Sequence, residues 1–205
     1  MKKKLIIFTR FPVPGRAKTR LIPVLGKEGA ADLQRRMTEQ TLETAEKLAN
    51  NEQLRLEIHY ADGSPEQMRK WLGQNRIYCE QTSGDLGKKL SRAFTKAFHE
   101  GYQQVMIIGA DCPTVSTRIL ATGFSKLCDH DLVLGPATDG GYYLIGLRQP
   151  YPELFITRSW GSNLLLAETV DVAKNLALKL YLLEELTDVD RPEDLKDLGN
   201  YSDPE

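Results

Sequence analysis

The sequence is poor in the residues that staple a protein, anchor it in a membrane or steer it over long distances. Cysteine occurs three times in 205 residues, at Cys79, Cys112 and Cys128. This unpaired spacing excludes the disulfide framework of a small secreted domain and a CxxC metal site, and the three read as reduced thiols of a cytoplasmic protein. Histidine is equally scarce: His59, His99 and His130 stand in unrelated contexts without metal-ligand spacing and are read as structural. Long apolar runs are missing. After Met1-Lys2-Lys3-Lys4 the apolar stretch is only Leu5 to Phe8, too short for a signal segment or a membrane span. With a net charge of -1 the chain has no long-range field to draw it onto nucleic acid or an anionic membrane, so any phosphate binding is local.

The residues that are present describe a globular α/β chain. Hydrophobic residues make up 41% and charged residues 27%, ordinary values for a packed, water-soluble domain. The length suits one domain, 1–205, with no internal repeat or linker. Leu5-Ile6-Ile7-Phe8 and Val105-Met106-Ile107-Ile108 are continuous apolar runs that suit strands buried on both faces. Further strands are expected at Leu54 to Ala61, where Leu54, Leu56, Ile58 and Tyr60 alternate onto one face, and at Ile77 to Gln81, Asp131 to Leu134, Tyr142 to Leu147 and Ala177 to Leu183. Helical spacing runs from Lys27 to Asn50, and capping residues mark helices from Ser64, from Asp85 to about His99, from Thr117 to Cys128 and from Asn163 to Asn175, with a last one at Pro192 to Leu198. This alternation predicts a three-layer, doubly wound, mostly parallel sheet covered on both faces. In such sheets ligands sit beyond the carboxyl ends of the strands.

Three loops at such ends carry candidate chemistry. The first runs from Arg10 to Arg20 and places Arg10, Arg16, Lys18 and Arg20 around Gly15. It is a phosphate clamp in outline: arginine grips phosphate oxygens in a fork, lysine adds a point charge, and Gly15 lets backbone approach. It is neither a Walker loop nor a dinucleotide GxGxxG; the plain alternative is a solvated basic loop. Asp111 follows Val105 to Ile108 through Gly109-Ala110 and is turned away by Pro113. A carboxylate at a central strand end suits Mg²⁺ or Mn²⁺; the alternative is a turn or helix-capping role. Asp188 and Asp190 lie two apart after the last strand, so in extended chain both can face one metal, with helix capping by Asp190 as the competing reading. Residues 1 to 20 hold seven Lys or Arg and no acid, whereas residues 184 to 205 hold nine acids and two bases, so the chain ends read as complementary.

Two turns are weaker candidates. Asp139-Gly140-Gly141 reads first as a hairpin turn. If functional, Asp139, Gly140 and Gly141 would contact an acceptor or sugar, with Tyr142 or Tyr143 as an apolar wall. Gly84 and Asp85 read as a helix-start turn in which Gly84 and Gly87 would leave room for a nucleobase or ribose.

Taken together, Phe8 to Leu21, Gly84-Asp85-Leu86-Gly87, Ile108 to Pro113, Leu134 to Leu147 and Asp188 to Leu195 resemble a bacterial and archaeal family of glycosyltransferases with the nucleotide-diphospho-sugar transferase (GT-A-like) fold, related to nucleotidyltransferases. The resemblance covers nearly the whole chain in order. It implies a metal on Asp111 with Asp190 or Asp188 as second carboxylate, phosphates on Arg10, Arg16, Lys18 and Arg20, and Mg²⁺ or Mn²⁺ as cofactor. Asp111, Lys18 and Asp139 are then expected to carry the chemistry, with Gly84 and Asp85 beside the nucleotide. The expected reaction is glycosyl transfer from a nucleotide-diphosphate sugar to a small-molecule acceptor. The alternatives are nucleotidyl transfer from a nucleoside triphosphate with pyrophosphate release, and a nucleotide-binding module without catalysis. One departure favours the first alternative: glycosyltransferases of this type carry Asp-x-Asp, whereas here the tripeptide is Asp111-Cys112-Pro113.

Overall fold

Four consecutive apolar residues leave no polar face to show to water, and in the computed structural model Leu5 to Phe8 lie in the interior of a seven-stranded sheet. The structure describes residues 1–51, 53–156 and 159–200. Strand β1 (Lys3–Arg10) pairs in parallel with β2 (Leu54–Ala61) on one side and β4 (Gln104–Gly109) on the other. Outside β2 lies β3 (Tyr78–Glu80); beyond β4 come β6 (Tyr142–Leu147), β5 (Leu132–Pro136) and β7 (Leu180–Leu182). Strand β6 alone runs antiparallel to its neighbours, because the short turn at 137–141 folds it straight back on β5. The carboxyl ends of β1, β4 and β7 therefore open on the same edge of the sheet.

Helices cover both faces, as the expected architecture requires. Helices α1 (Ile22–Asn51), α2 (Pro65–Leu72) and α4 (Thr117–Lys126) pack Leu42, Met68 and Phe124 against Leu5, Ile7, Met106 and Ile108. On the other face α3 (Leu86–His99) and α5 (Leu165–Asn175) pack Leu90, Phe94 and Ala173 against Ile6, Val105 and Ile107. Alternate residues of each central strand thus feed opposite cores, which is why these strands read as unbroken apolar runs. The caps are local and side-chain made. Ser64 accepts from Gln67 N at 3.3 Å while its own N donates to Gln67 Oε1 at 2.8 Å, a reciprocal box ahead of Pro65. Asp85 accepts from Lys88 N at 2.8 Å, and Ser116 from Ile119 N at 3.3 Å.

Several expectations shift. The long helix starts at Ile22 and absorbs a kink at Gly26 (φ 71°), so its regular part does begin near Lys27. The segment expected as a helix at Pro192 to Leu198 is a 3₁₀ helix, Pro192–Asn200. Strand β2 is not half-exposed. Glu57 and His59, on the face away from Leu56, Ile58 and Tyr60, are buried too, each with charged or aromatic partners.

Candidate active site

The basic loop is pinned before it is charged. Ala17 and Leu21 are fully buried, and Leu21 packs with Ala30, Leu33, Met37 and, from the far end of the chain, Val189. Between these anchors Lys18 adopts a left-handed backbone (φ 45°, ψ 49°), a conformation that costs a non-glycine residue about 1–2 kcal/mol. Its side chain is 3% exposed and ends between two carboxylates, with Nζ 2.7 Å from Asp111 Oδ1 and 3.1 Å from Asp190 Oδ1. Burial pushes the Lys18 ammonium toward neutrality, but the charges of Asp111 and Asp190 outweigh it and hold its pKa above the ordinary value. Arg20 Nη1 meets Asp190 Oδ2 at 2.6 Å, and Val189 N donates to the Asp111 carbonyl at 2.9 Å. Loops after β1, β4 and β7 are thereby tied at one point.

Around this knot opens a cleft of about 450 Å³. Arg10, Asp111, Asp139, Gly141, Tyr142 and Asp188 line it. Asp188 is half-buried, and burial first, then the neighbouring charges of Asp139, Asp190 and Asp111, raise its pKa to about 6. Four neighbouring carboxylates, Asp111, Asp139, Asp188 and Asp190, of which only Asp111 and Asp190 meet Lys18, make a place where further positive charge is stabilised. Among the described residues these carboxylates do not converge into a three-ligand cage. That fits a hard cation held by one or two carboxylates and completed by phosphate oxygens and water, as Mg²⁺ usually is. Cys112 is 1% exposed and burial pushes its thiol pKa up, so the residue between Asp111 and Pro113 belongs to the core rather than to the ligand set.

The remaining candidates divide. Arg10 lines the cleft, with Nη1 3.4 Å from Asp62 Oδ2 and bonded to the Arg16 carbonyl. Arg16 and Arg20 are exposed and Gly15 turns the loop at φ 81°; these three, with Lys18 and Asp190, stand beside the cleft rather than in its lining, joined to it through Asp111. The capping role weighed for Asp190 falls to Asp194, whose Oδ2 accepts from Asp190 N at 2.9 Å and Arg191 N at 2.6 Å. Asp111 caps no helix, since Ser116 does so. Asp139 accepts from Gly141 N at 2.7 Å and stays on the cleft wall, while Gly140 (φ 86°) is pressed against the Asn163 backbone and serves the turn. Gly84 and Asp85 lie outside the cleft lining, Asp85 being the α3 cap beside a separate depression. Gly87 leaves no room for a base, because a Cβ there would stand 2.6 Å from Trp160 Cζ2 and 2.7 Å from the Phe155 carbonyl.

Sequence reasoning passed over Gln81 and Lys89. Both line the cleft, Gln81 with its amide donating to the Thr9 and His59 carbonyls beside the start of the basic loop. Gln81 opens the helix-start turn that runs to Gly87, where it reads only as a turn residue, and Lys89 reads as one cation of an amphipathic helix. No helix among the described residues is long and apolar enough to cross a membrane.

Comparison with known proteins agrees with this architecture. The family model described as "Uncharacterized protein conserved in bacteria (DUF2064)" matches residues 41–162. A crystal structure from Desulfovibrio desulfuricans G20, a candidate nucleotide-diphospho-sugar transferase by name, is 32% identical, with 98% of this chain and 90% of that one covered at a TM-score of 0.89. A 2-phospho-L-lactate guanylyltransferase from Methanocaldococcus sp. (strain FS406-22) is 27% identical over 135 residues, 64% of this chain. That alignment spans 57% of the length of the curated relative. The inositol-1-phosphate CTP transferase of T. maritima shares the fold at a TM-score of 0.58 and 14% identity, over 94% of this chain and 91% of that one.

Proposed function

Starting from the fact that the chain belongs to the DUF2064 family, and from a basic loop tied to a strand-end aspartate beside one cleft, we propose that it is a nucleotidyltransferase. It would join a nucleoside triphosphate to a phosphorylated small-molecule acceptor. The observation that carries the reading is the Lys18 ammonium, buried and held between Asp111 and Asp190 where three strand ends meet. An acceptor phosphate oxygen attacks the α-phosphorus, the bond from that phosphorus to the bridging oxygen breaks, and pyrophosphate leaves with the β- and γ-phosphates. In this reading Lys18 would stabilise charge on the transferring phosphate, and Arg10, Arg16 and Arg20 would hold the departing oxygens. Asp139, the Gly141 backbone and Tyr142 form the wall on which an acceptor would lie.

A divalent cation of the Mg²⁺ or Mn²⁺ kind would neutralise polyphosphate charge there. Asp111 and Asp188 suit it best, because Asp190 is already shared by Lys18 and Arg20 while Asp188 faces the cleft among like charges. The same cleft supports a second reading, transfer of a sugar from a nucleotide-diphosphate sugar, favoured by the name of the Desulfovibrio relative at 32% identity. Against it stands the missing second acid beside Asp111: Cys112 is buried in the core, and position 113 is proline. The two readings separate by product. Incubated with Mg²⁺, the nucleoside triphosphates and a panel of sugar and hydroxy-acid phosphates, the protein should release pyrophosphate. Release of nucleoside diphosphate from sugar nucleotides, with no pyrophosphate from any triphosphate, would overturn the proposal in favour of glycosyl transfer.

A further inference from the structure

A second cluster of ligand-type side chains lies under α3, apart from the cleft. In the parallel register of β2 and β3, His59 stands directly opposite Cys79, and Glu57 lies two residues back on the same face of β2. Their ligand atoms all fall within 4.8 Å of one another, with His59 Nε2 3.3 Å from Glu57 Oε2. The geometry points to a zinc-type site formed by Cys79, His59 and Glu57, taking one borderline divalent ion through sulfur, nitrogen and oxygen.

Three features carry this assignment. First, in a tetrahedral zinc site with nitrogen and oxygen ligands at their usual bond lengths, those two atoms lie about 3.3–3.4 Å apart. The imidazole and the carboxylate already stand at that separation, and the Cys79 sulfur lies within 4.8 Å of both. Second, the two preset ligands are held from behind. The other Glu57 oxygen, Oε1, is 2.7 Å from Lys4 Nζ, and Lys4 is 1% exposed and also bonded to Glu100. The His59 ring is stacked on Phe8 with centroids 5.6 Å apart and planes inclined by 20°. Supporting contacts of this kind fix ligand orientation and raise affinity in metal sites. Third, Cys79 is half-buried on the edge strand, with Lys96 Nζ 3.9 Å away, so one side of the cluster remains open for entry of the ion and for a water as fourth ligand. The donor set also chooses its ion: thiolate and imidazole favour Zn²⁺ and reject Mg²⁺, so this site and the oxygen-lined cleft would select different metals. Gln81 follows Cys79 by two residues and reaches the cleft, so an ion here would brace the strand that carries one wall of it.

Cobalt titration of the metal-free full chain tests the assignment, because a cobalt–thiolate bond gives a charge-transfer absorption that oxygen ligands do not. The wild-type chain should take up one Co²⁺ with that absorption and lose it on addition of one equivalent of Zn²⁺. Cys79→Ser should abolish the band and weaken Zn²⁺ binding at least tenfold in competition with a chelator, whereas Asp111→Asn and Cys112→Ser should keep both. Absence of the band in the wild type, or its survival in Cys79→Ser, overturns the proposal. Should Cys79→Ser fail to fold, alkylation of the wild type decides: equimolar Zn²⁺ should slow iodoacetamide labelling of Cys79 at least tenfold, and unchanged labelling overturns it.

Discussion

Replacing Asp188 with asparagine should make the metal-free protein more stable, and the gain should depend on pH. Burial, followed by the charges of Asp139, Asp190 and Asp111, raises the Asp188 pKa from 3.8 to about 6. Between those values the native chain holds a proton that the unfolded chain has lost. The sign follows: a carboxyl with a raised folded pKa imposes no penalty below about pH 4, and its penalty grows as pH rises toward about 6 and is constant above. At about 1.4 kcal/mol per pH unit the gap has a ceiling of about 3 kcal/mol. Because the side chain is only half-buried, solvent screening cuts this to about 1–1.5 kcal/mol. Asparagine keeps the shape and removes the charge. Melting of both proteins in a chelator at pH 4 to 8 should give curves that coincide near pH 4 and separate by about 2–6 °C at pH 7.5, given about 2–4 °C per kcal/mol for a chain of this size. Glu57, whose pKa is lowered to about 2, and His59, whose pKa is raised, titrate in both proteins and drop out of the difference. A variant less stable than wild type at pH 7.5, or a difference that does not change with pH, would refute the argument that like charges crowd Asp188. Under the proposed reaction the order should reverse on adding Mg²⁺ with a nucleoside triphosphate, since only the wild type would recover stability through binding.

Lys18→Met should leave Asp111 and Asp190 without their shared cation, costing about 1–3 kcal/mol in urea denaturation and at least tenfold in nucleotide affinity by calorimetry. Asp111→Asn should cost about 1–3 kcal/mol, because the buried Lys18 loses one of its two carboxylates, and should lose the Mg²⁺-dependent part of any nucleotide-induced thermal shift; a shift that persists unchanged removes Asp111 from the metal. Gly140→Ala should cost about 2–4 kcal/mol, because it forces φ 86° on alanine and drives a methyl group into the Asn163 backbone, and chemical denaturation will read it directly.

The parts of this molecule that follow one-dimensional rules were legible in the sequence. Leu5 to Phe8 and Val105 to Ile108 announce central strands because both faces must be apolar, and Ser64, Asp85 and Ser116 announce helix starts because their side chains satisfy exposed amides within three residues. The meeting of Lys18, Asp111 and Asp190 was legible too, through the rule that parallel strands open on one edge. What stayed hidden depends on pairing between distant segments. The Glu57, His59 and Cys79 cluster exists only because β3 registers beside β2, and the alternation along β2 marks its apolar face without saying what covers the other. Gly87 offers space in the sequence, but Trp160 and Phe155 fill it from 68 or more residues away. The exchange of roles between Asp190 and Asp194 turns on a cation 172 residues upstream, which no local capping rule sees.

The cations of the clamp are held in unlike ways, and that difference assigns them unlike parts in the proposed reaction. Lys18 is caged: its side chain is 3% exposed, its backbone is strained, and Ala17, Leu21 and Val189 pin the chain around it. Moving it would break two ion pairs in a poorly hydrated place. Arg20 also pairs with Asp190, but its side chain is 59% exposed, and an ion pair in that setting contributes only about 0–1 kcal/mol. Arg10 is 48% exposed and its contacts at 3.4 Å are long. An incoming polyphosphate can therefore take Arg10 and Arg20 from their present partners at little cost, since it offers stronger, charge-assisted bonds. Arg20 is thus suited to exchange Asp190 for a phosphate as substrate arrives and return as pyrophosphate leaves. Lys18, unable to follow, would in the proposed reaction be the fixed cation against which the transferred phosphate is set.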